Sequence, residues 1–184
     1  MNKRKVASIL LLVSTIFVLL VVNLRYTHSY YLDEEGNIIT SSFNGEIFLP
    51  GGELTTNDKS YSNNRDGGMV LWITGGDFIM NQPNVTKSGN GSASDYLNGA
   101  NSAIVIQVNG KYTMNGGSIT TDATYSHGMI AYQGGHINVN DSNILTKGDY
   151  SSGIMVSDNG YIDGTNLKIE TLGKYSSAIN SDKD

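Results

Sequence analysis

The sequence predicts an all-β fold, a parallel β-helix or β-solenoid of about five coils, that follows a hydrophobic N-terminal helix. The main observation is that apolar and turn-forming residues recur at intervals of 25 residues. Within each copy, apolar residues alternate with polar ones over short stretches, as they do in strands. The composition agrees, since 22 Gly and only 2 Pro among 184 residues suit a chain with many turns.

The chain begins with a basic segment followed by an apolar one. The cations Lys3–Lys5 precede the uncharged run Val6–Val22, whose 17 residues would span about 25 Å as a helix. A bilayer's hydrocarbon layer is ~30 Å thick, and no clear cleavage signal follows the run. Residues 1–24 are therefore predicted to be a signal anchor or signal peptide with a transmembrane helix at about 6–22. The positive-inside rule places the rest outside the cytoplasm, held at the cell membrane or secreted after cleavage.

The second half of the chain follows the 25-residue period most closely. A strand is predicted where small residues are followed by apolar ones at alternate positions. The small column contains Ala103, Gly128, Gly153 and Ala178, and the apolar columns contain Ile104, Met129, Ile154 and Ile179, then Ile106, Ala131 and Val156. A turn is predicted at Gly110, Gly135 and Gly160. Further strands carry Tyr112, Ile137 and Ile162, and then Ile119, Ile144 and Ile169, followed by Thr121, Thr146 and Thr171.

Two earlier copies fit this pattern if their loops are longer. We place their starts at Ile39 and Val70 and their extra residues in Asn57–Gly68 and Ser88–Ser102, which aligns Ile47 with Phe78. Residues 25–36 are then a juxtamembrane linker, and residues 37–184 are β-helix repeats. The copy that begins at Tyr175 runs to Asp184 without a capping helix, so the repeats are predicted to be incomplete at the C-terminus.

Three short strands per copy cannot bury a core alone, but stacked copies with parallel ladders can. An antiparallel β-sandwich also has short strands and Gly-rich turns, but it does not require an equal period across many columns. The motifs Tyr-Ser-Ser-Gly-Ile, Asn-Gly-Tyr-Ile and Ile-Glu-Thr-Leu-Gly, at 150–154, 159–162 and 169–173, resemble repeats of the pectin-lyase-like right-handed parallel β-helix of bacterial adhesin-like and autotransporter-passenger proteins. That family includes polysaccharide lyases, hydrolases and adhesins, so the resemblance implies a fold before an activity.

Charge and composition exclude several function classes. The chain has no Cys, which excludes disulfides and thiolate metal sites. Without the cations Lys3–Lys5 its formal charge falls from −5 to −8, which argues against nucleic acid as a partner. No carboxylate recurs between the regular copies, as a calcium-dependent lyase would require; Asp122, for example, aligns with Lys147. We therefore assign no catalytic, cofactor-binding or metal-binding residues.

Histidines and aromatic residues are the other candidates for a site. His127 and His136 fall in columns of unlike residues and are predicted to lie on the surface. Trp72 is predicted to point inward, by the alternation of Val70 and Trp72. The long loop from Lys87 to Ala100 is either a recognition loop or disordered.

The candidate ligand-binding residues are Tyr125, Tyr150 and Tyr175, which recur every 25 residues and should stack along one edge. Such a ladder either stabilises the stack of coils or binds sugar rings. The sequence thus favours a non-enzymatic adhesin-like module that presents a face to glycans or surface proteins. The alternative is the N-terminal fragment of a β-helix polysaccharide lyase or hydrolase. The other expected partners are the membrane and a second copy, through end-to-end self-association at the last coil.

Overall fold

A computed structural model describes residues 31–42 and 44–182. These residues form a β-solenoid of three parallel sheets, with 16 strands and one short 3-10 helix at Ala93–Asp95. Among them, no helix has the length and apolar character needed to span a bilayer. The hydrophobic helix predicted at about 6–22 lies outside this part of the chain.

Each coil contributes one strand to each sheet, so that neighbours in a sheet come from successive coils. The first sheet contains β1 (Ile47–Leu49), β4 (Leu71–Thr74), β7 (Ile104–Gln107), β10 (Met129–Ala131), β13 (Ile154–Val156) and β16 (Ile179–Ser181). The second contains β2 (Glu53–Asn57), β5 (Asp77–Asn81), β8 (Lys111–Asn115), β11 (His136–Asn140) and β14 (Tyr161–Thr165). The third contains β3 (Ser60–Asn63), β6 (Asn84–Lys87), β9 (Ser118–Thr121), β12 (Asn143–Thr146) and β15 (Lys168–Thr171).

The register of the later coils confirms the predicted columns. Met129 pairs with Ile104 and Ile154, and Ile137 pairs with Tyr112 and Ile162. The side chains at these positions point inward from all three sheets and form one continuous core. The 25-residue period therefore arises because a residue must have its equivalent directly beside it in the next coil.

The predicted register is wrong for the first copy and for the start of the second, where Leu71 and not Val70 pairs with Ile104. Further along the second copy, Phe78 and Val85 pair with Tyr112 and Ile119 as predicted. Ile47 pairs with Leu71 in the first sheet, and not with Phe78 in the second. The segment 57–68 contains no insertion, because β3 lies within it. Only the connection between β6 and β7 is extended, and it is nine residues longer than the one between β9 and β10. Short apolar pairs look alike in all three strands of a coil, so without a strict period the sequence did not distinguish them.

Trp72 points outward, contrary to the prediction. The inward residues of β4 are Leu71 and Ile73, both fully buried, so the residue between them faces away from the core. Its ring packs on Phe48 of the preceding coil, with centroids 4.5 Å apart. The prediction failed because Val70, which set the alternation, precedes the strand.

Each coil holds its own corner through the last inward residue of the third sheet. Thr121 and Thr146 donate hydrogen bonds to the carbonyl oxygens of Ser126 and Ser151, five residues further on. In the coil with the long connection this position is occupied by Lys87. Its ammonium group donates to the carbonyl oxygens of Arg65 and Gly89, at 3.0 and 2.6 Å. The longer side chain thus links this corner to the corner of the preceding coil.

Residues 31–39 fold over the first coil. Asp33 accepts hydrogen bonds from the backbone of Glu35 and Asn37 and closes a turn that buries Leu32. The Tyr61 hydroxyl, from β3, donates to the carbonyl of Gly36 at 3.0 Å. The side chains of this turn therefore cover one end of the core.

Candidate functional site

The three tyrosines predicted as a ladder are stacked. The rings of Tyr125 and Tyr150 are 4.8 Å apart and 8° from parallel, and those of Tyr150 and Tyr175 are 4.9 Å apart and 17° from parallel. This spacing matches the distance of about 4.8 Å between neighbouring strands. The backbone repeat of the coils therefore sets the spacing of the rings.

All three tyrosines have a backbone conformation that is unfavourable for a bulky side chain. Their φ angles are 50° at Tyr125, 55° at Tyr150 and 55° at Tyr175, in the left-handed region. Glycine and asparagine adopt this region most easily, and other residues lose about 1 kcal/mol or more there. A tyrosine at each of the three positions therefore indicates that the ring itself contributes something, either stacking or binding.

Stacking decides which parts of the ladder a ligand can reach. Both faces of Tyr150 are covered by its neighbours, and the ring leaves mainly its edge and hydroxyl exposed. Tyr175 is 74% exposed, and among the described residues the ring stacked on it is that of Tyr150. Loss of solvent raises the pKa of the Tyr150 hydroxyl, and the neighbouring Tyr125 and Tyr175 raise it further. Within the described coils, the accessible surface is a row of phenol edges whose most exposed ring is Tyr175.

Charged and polar side chains flank this row. Lys147 and Asp122, which lie in the connections just before the tyrosines, form an exposed ion pair at 3.2 Å. The outer face of the third sheet, which precedes the tyrosines in each coil, carries a shallow groove of about 250 Å³. Its lining includes Thr120, Leu145 and Glu170. Hydroxyl, carboxylate and ammonium groups thus lie in the same coils as the aromatic row.

His127 is buried, and the prediction that it lies on the surface is wrong. Its Nδ1 accepts a hydrogen bond from the Ser152 backbone N–H at 3.0 Å, so its Nε2 carries the proton and donates to the Tyr96 carbonyl at 2.8 Å. Burial lowers the pKa of His127 to about 4, which keeps the ring neutral near pH 7. The serines that align with His127 in the sequence did not indicate burial, because the residues that cover His127 come from a distant part of the sequence.

That cover is the long connection between β6 and β7, which is ordered. We call its residues 88–102 the strap. It lies against an outer apolar cluster on the first sheet, formed by Met69, Val105, Ile130 and Met155 with Trp72, Tyr96 and Tyr132 at its margin. The Leu97 carbonyl accepts a hydrogen bond from Ser157 at 2.9 Å, and the Tyr96 hydroxyl accepts one from Asn180 at 2.9 Å. The strap therefore contacts coils far along the solenoid.

Within residues 31–42 and 44–182, no three His, Asp or Glu side chains lie close enough together to bind a metal ion. His136 lies on β11 with its ring 4.7 Å from Tyr161, edge to face. Lys87 is fully buried, and burial lowers its pKa to about 8. Its hydrogen bonds to carbonyl oxygens assign it to the corner described above and not to the outer surface.

Sequence reasoning missed a second ladder. Side-chain amides at the ends of the second-sheet strands donate in turn to the preceding coil, from Asn140 to Asn115, Asn115 to Asn81 and Asn81 to Asn57. The 25-residue interval between Asn115 and Asn140 was visible in the sequence. It is a structural ladder, since its amide groups are used within the stack.

Comparison with known proteins yields no relative. No family model matches the chain, and neither the curated proteins nor the solved structures contain a match to it. The parallel β-solenoid is therefore established by its own strand pairing.

Proposed function

We propose that this protein is a non-enzymatic binding module whose tyrosine ladder, Tyr125, Tyr150 and Tyr175, recognises glycans at a cell surface. The observation that carries the proposal is the left-handed backbone at all three tyrosines. Stacking contributes about 0.5–1.5 kcal/mol per aromatic pair, comparable to the backbone cost, so stability alone gives little reason to keep tyrosine there. The repeat motifs similar to those of adhesin-like pectin-lyase-type β-helices support the same function.

The geometry favours a particular mode of recognition. Carbohydrates pack their apolar faces on exposed aromatic rings and bond their hydroxyls to polar edges, the combination typical of ligand sites. Tyr175, the most exposed ring of the ladder, provides the ring contact, and the Tyr150 and Tyr125 hydroxyls provide a row of donors and acceptors. The flanking Asp122 and Lys147 add charged partners. Tyr175 should therefore contribute most to binding and Tyr125 least.

A glycan array with the purified solenoid, residues 25–184, tests this proposal. Tyr175→Ala should weaken binding at least tenfold, and Tyr125→Ala should weaken it less. Tyr161→Ala is the matched control, since Tyr161 is 55% exposed on β14 but outside the ladder. Binding that is equally strong in all three variants, or absent from the unmodified protein, would contradict the proposal. Cleavage of acidic polysaccharides by this chain would favour the alternative, a polysaccharide lyase or hydrolase.

In this proposal the solenoid faces outward from the cell membrane, anchored by the apolar run Val6–Val22. The basic Lys3–Lys5 segment before that run supports this orientation. Fractionation of cells that express the full chain should place it in membranes, and protease added from outside should digest the solenoid. Recovery from the cytoplasm in soluble form would contradict this orientation.

The last described coil is proposed to bind a second copy of the chain. Ile179 and Leu172 are 66% and 62% exposed there, beside the edges of β14, β15 and β16 that pair with no further strand among the described residues. The opposite end is covered by the turn around Leu32, which favours a closed two-fold pair over a filament. Light scattering should detect a dimer that Ile179→Lys disrupts. A monomer at all concentrations would contradict this pairing.

A further inference from the structure

The strap and His127 form one unit that is separate from the tyrosine ladder. The imidazole is 0% exposed and lies between the Ser152 backbone N–H on one side and the Tyr96 carbonyl on the other. The Tyr96 ring also contacts it edge-on, with centroids 4.9 Å apart. The ring thus connects the strap to the coils beneath it.

Only the neutral imidazole fits this position. Because Nε2 already carries a proton, a second proton must go to Nδ1, where it would face the Ser152 N–H. Two donors would then oppose each other in a buried site, and the charge would have no partner. The ring can escape this conflict only by leaving its position, which breaks the hydrogen bond to the Tyr96 carbonyl.

No charged neighbour offsets this conflict among the described residues. The lowered pKa of His127 arises from burial and is opposed only by the Tyr96 backbone. Tyr96 is the titratable side chain of the strap in contact with the imidazole, and the coils contribute the Ser152 backbone N–H. Asp95 is the only acid of residues 88–102, which contain no Lys or Arg. Its carboxylate accepts hydrogen bonds from Ser92.

We propose that the strap is an acid-sensitive cover for the outer apolar cluster, held closed by neutral His127 and released when His127 gains a proton. Release exposes a stripe along the first sheet formed by Val105, Ile130 and Met155, which are fully or almost fully buried in the closed state. The strap is suited to move because few of its side chains are buried and the 3-10 helix Ala93–Asp95 buries none.

The direction of the pH effect follows from proton binding. An exposed histidine titrates at its ordinary value of 6.5, and the covered one at about 4. Between these values the open state binds more protons, so acid favours opening. The opening equilibrium should rise about tenfold per pH unit, by on the order of a few hundred-fold in total.

Hydrogen exchange of the strap amides at pH 4 to 7, corrected for intrinsic rates, measures this opening. Exchange should rise towards pH 4 while the amides of β11 and β12 stay protected. Emission from Trp72, the chain's single tryptophan, should shift over the same range. His127→Gln keeps a side-chain donor for Tyr96 but cannot titrate, so its strap should show no such rise. Asp95→Asn controls for the strap carboxylate and should keep the rise.

Each of several outcomes would overturn the proposal. They are strap exchange that does not change with pH, an equal response in His127→Gln, loss of the response in Asp95→Asn, and simultaneous unfolding of β11 and β12. If His127→Gln does not fold, the imidazole resonances of the unmodified protein decide the question. The His127 midpoint should coincide with the exchange of the strap amides; titration of His127 beneath a closed strap would disprove the coupling.

Discussion

The coils with 25-residue spacing and the coil that carries the strap solve the same packing problem in different ways. In the regular coils, a threonine hydroxyl holds each corner and a tyrosine stacks on its equivalent one coil away. In the strap coil, Lys87 bonds Arg65 in the corner of the preceding coil, and Tyr96 and Leu97 contact residues several coils away. Repetition thus yields local contacts between neighbours, and its interruption yields long-range ones.

The largest expected effect is at a glycine of the regular coils. A Cβ at Gly148 would collide with the carbonyl oxygen of Ala123 in the preceding coil. Gly148→Ala should therefore reduce the free energy of unfolding by about 3 kcal/mol, measured by chemical denaturation. Ala123 occupies the same column and carries a Cβ. Ala123→Gly is the control and should lose only about 1 kcal/mol. Equal losses of stability in Gly148→Ala and Ala123→Gly would show that the coils at these two positions are packed equally closely.

The second effect tests the corner of the strap coil. Burial lowers the pKa of Lys87 from 10.5 to about 8, so the folded protein binds fewer protons than the unfolded one between these values. Stability should therefore rise with pH from 8 to 10.5, by on the order of 2 kcal/mol relative to Lys87→Met. Thr146→Val, in a regular corner, should lose about 1 kcal/mol at every pH. A wild-type curve parallel to that of Lys87→Met would contradict the burial of a charged ammonium group.

A smaller effect separates stacking from backbone cost in the tyrosine ladder. Tyr150→Ala loses two ring contacts and keeps the unfavourable φ of 55°, so it should lose about 1–3 kcal/mol of stability. Tyr150→Gly also loses the contacts but removes the backbone cost, and should be about 1 kcal/mol more stable than Tyr150→Ala. Thermal melts of the two variants give the comparison. A Gly variant much less stable than this would mean that the ladder exists for stability.

The smallest effect concerns the first coil after the strap. Tyr112 is buried in the core with no hydrogen-bond partner for its hydroxyl, and burial raises the pKa of that hydroxyl. Its equivalent in the preceding coil is Phe78. Tyr112→Phe should therefore raise the free energy of unfolding by up to about 1 kcal/mol in denaturation experiments. A loss of stability would instead show that the hydroxyl has a partner, such as an internal water.

Features that repeat every 25 residues were predicted correctly from the sequence, and features that occur only once were not. The columns containing Ile104, Ile119 and Thr121 were predicted correctly because each must match its equivalent in the next coil. The first copy was misaligned, and Trp72 and His127 were misplaced, because their surroundings are not periodic. The burial of His127 depends on Tyr96, 31 residues earlier in the chain. The tyrosine ladder was predicted from its period, but the left-handed backbone beneath it was not.

The strap changes how this molecule can unfold. In an ordinary solenoid each coil contacts only its neighbours, so coils can fray one by one from an end. Here Leu97 and Tyr96 contact residues 60 and 84 positions further along the chain, Ser157 and Asn180. Loss of the last described coil therefore also removes the contact of Asn180 with the strap, which lies near the middle of the solenoid. This long-range connection should make unfolding more cooperative than a sum of neighbouring coil contacts would allow.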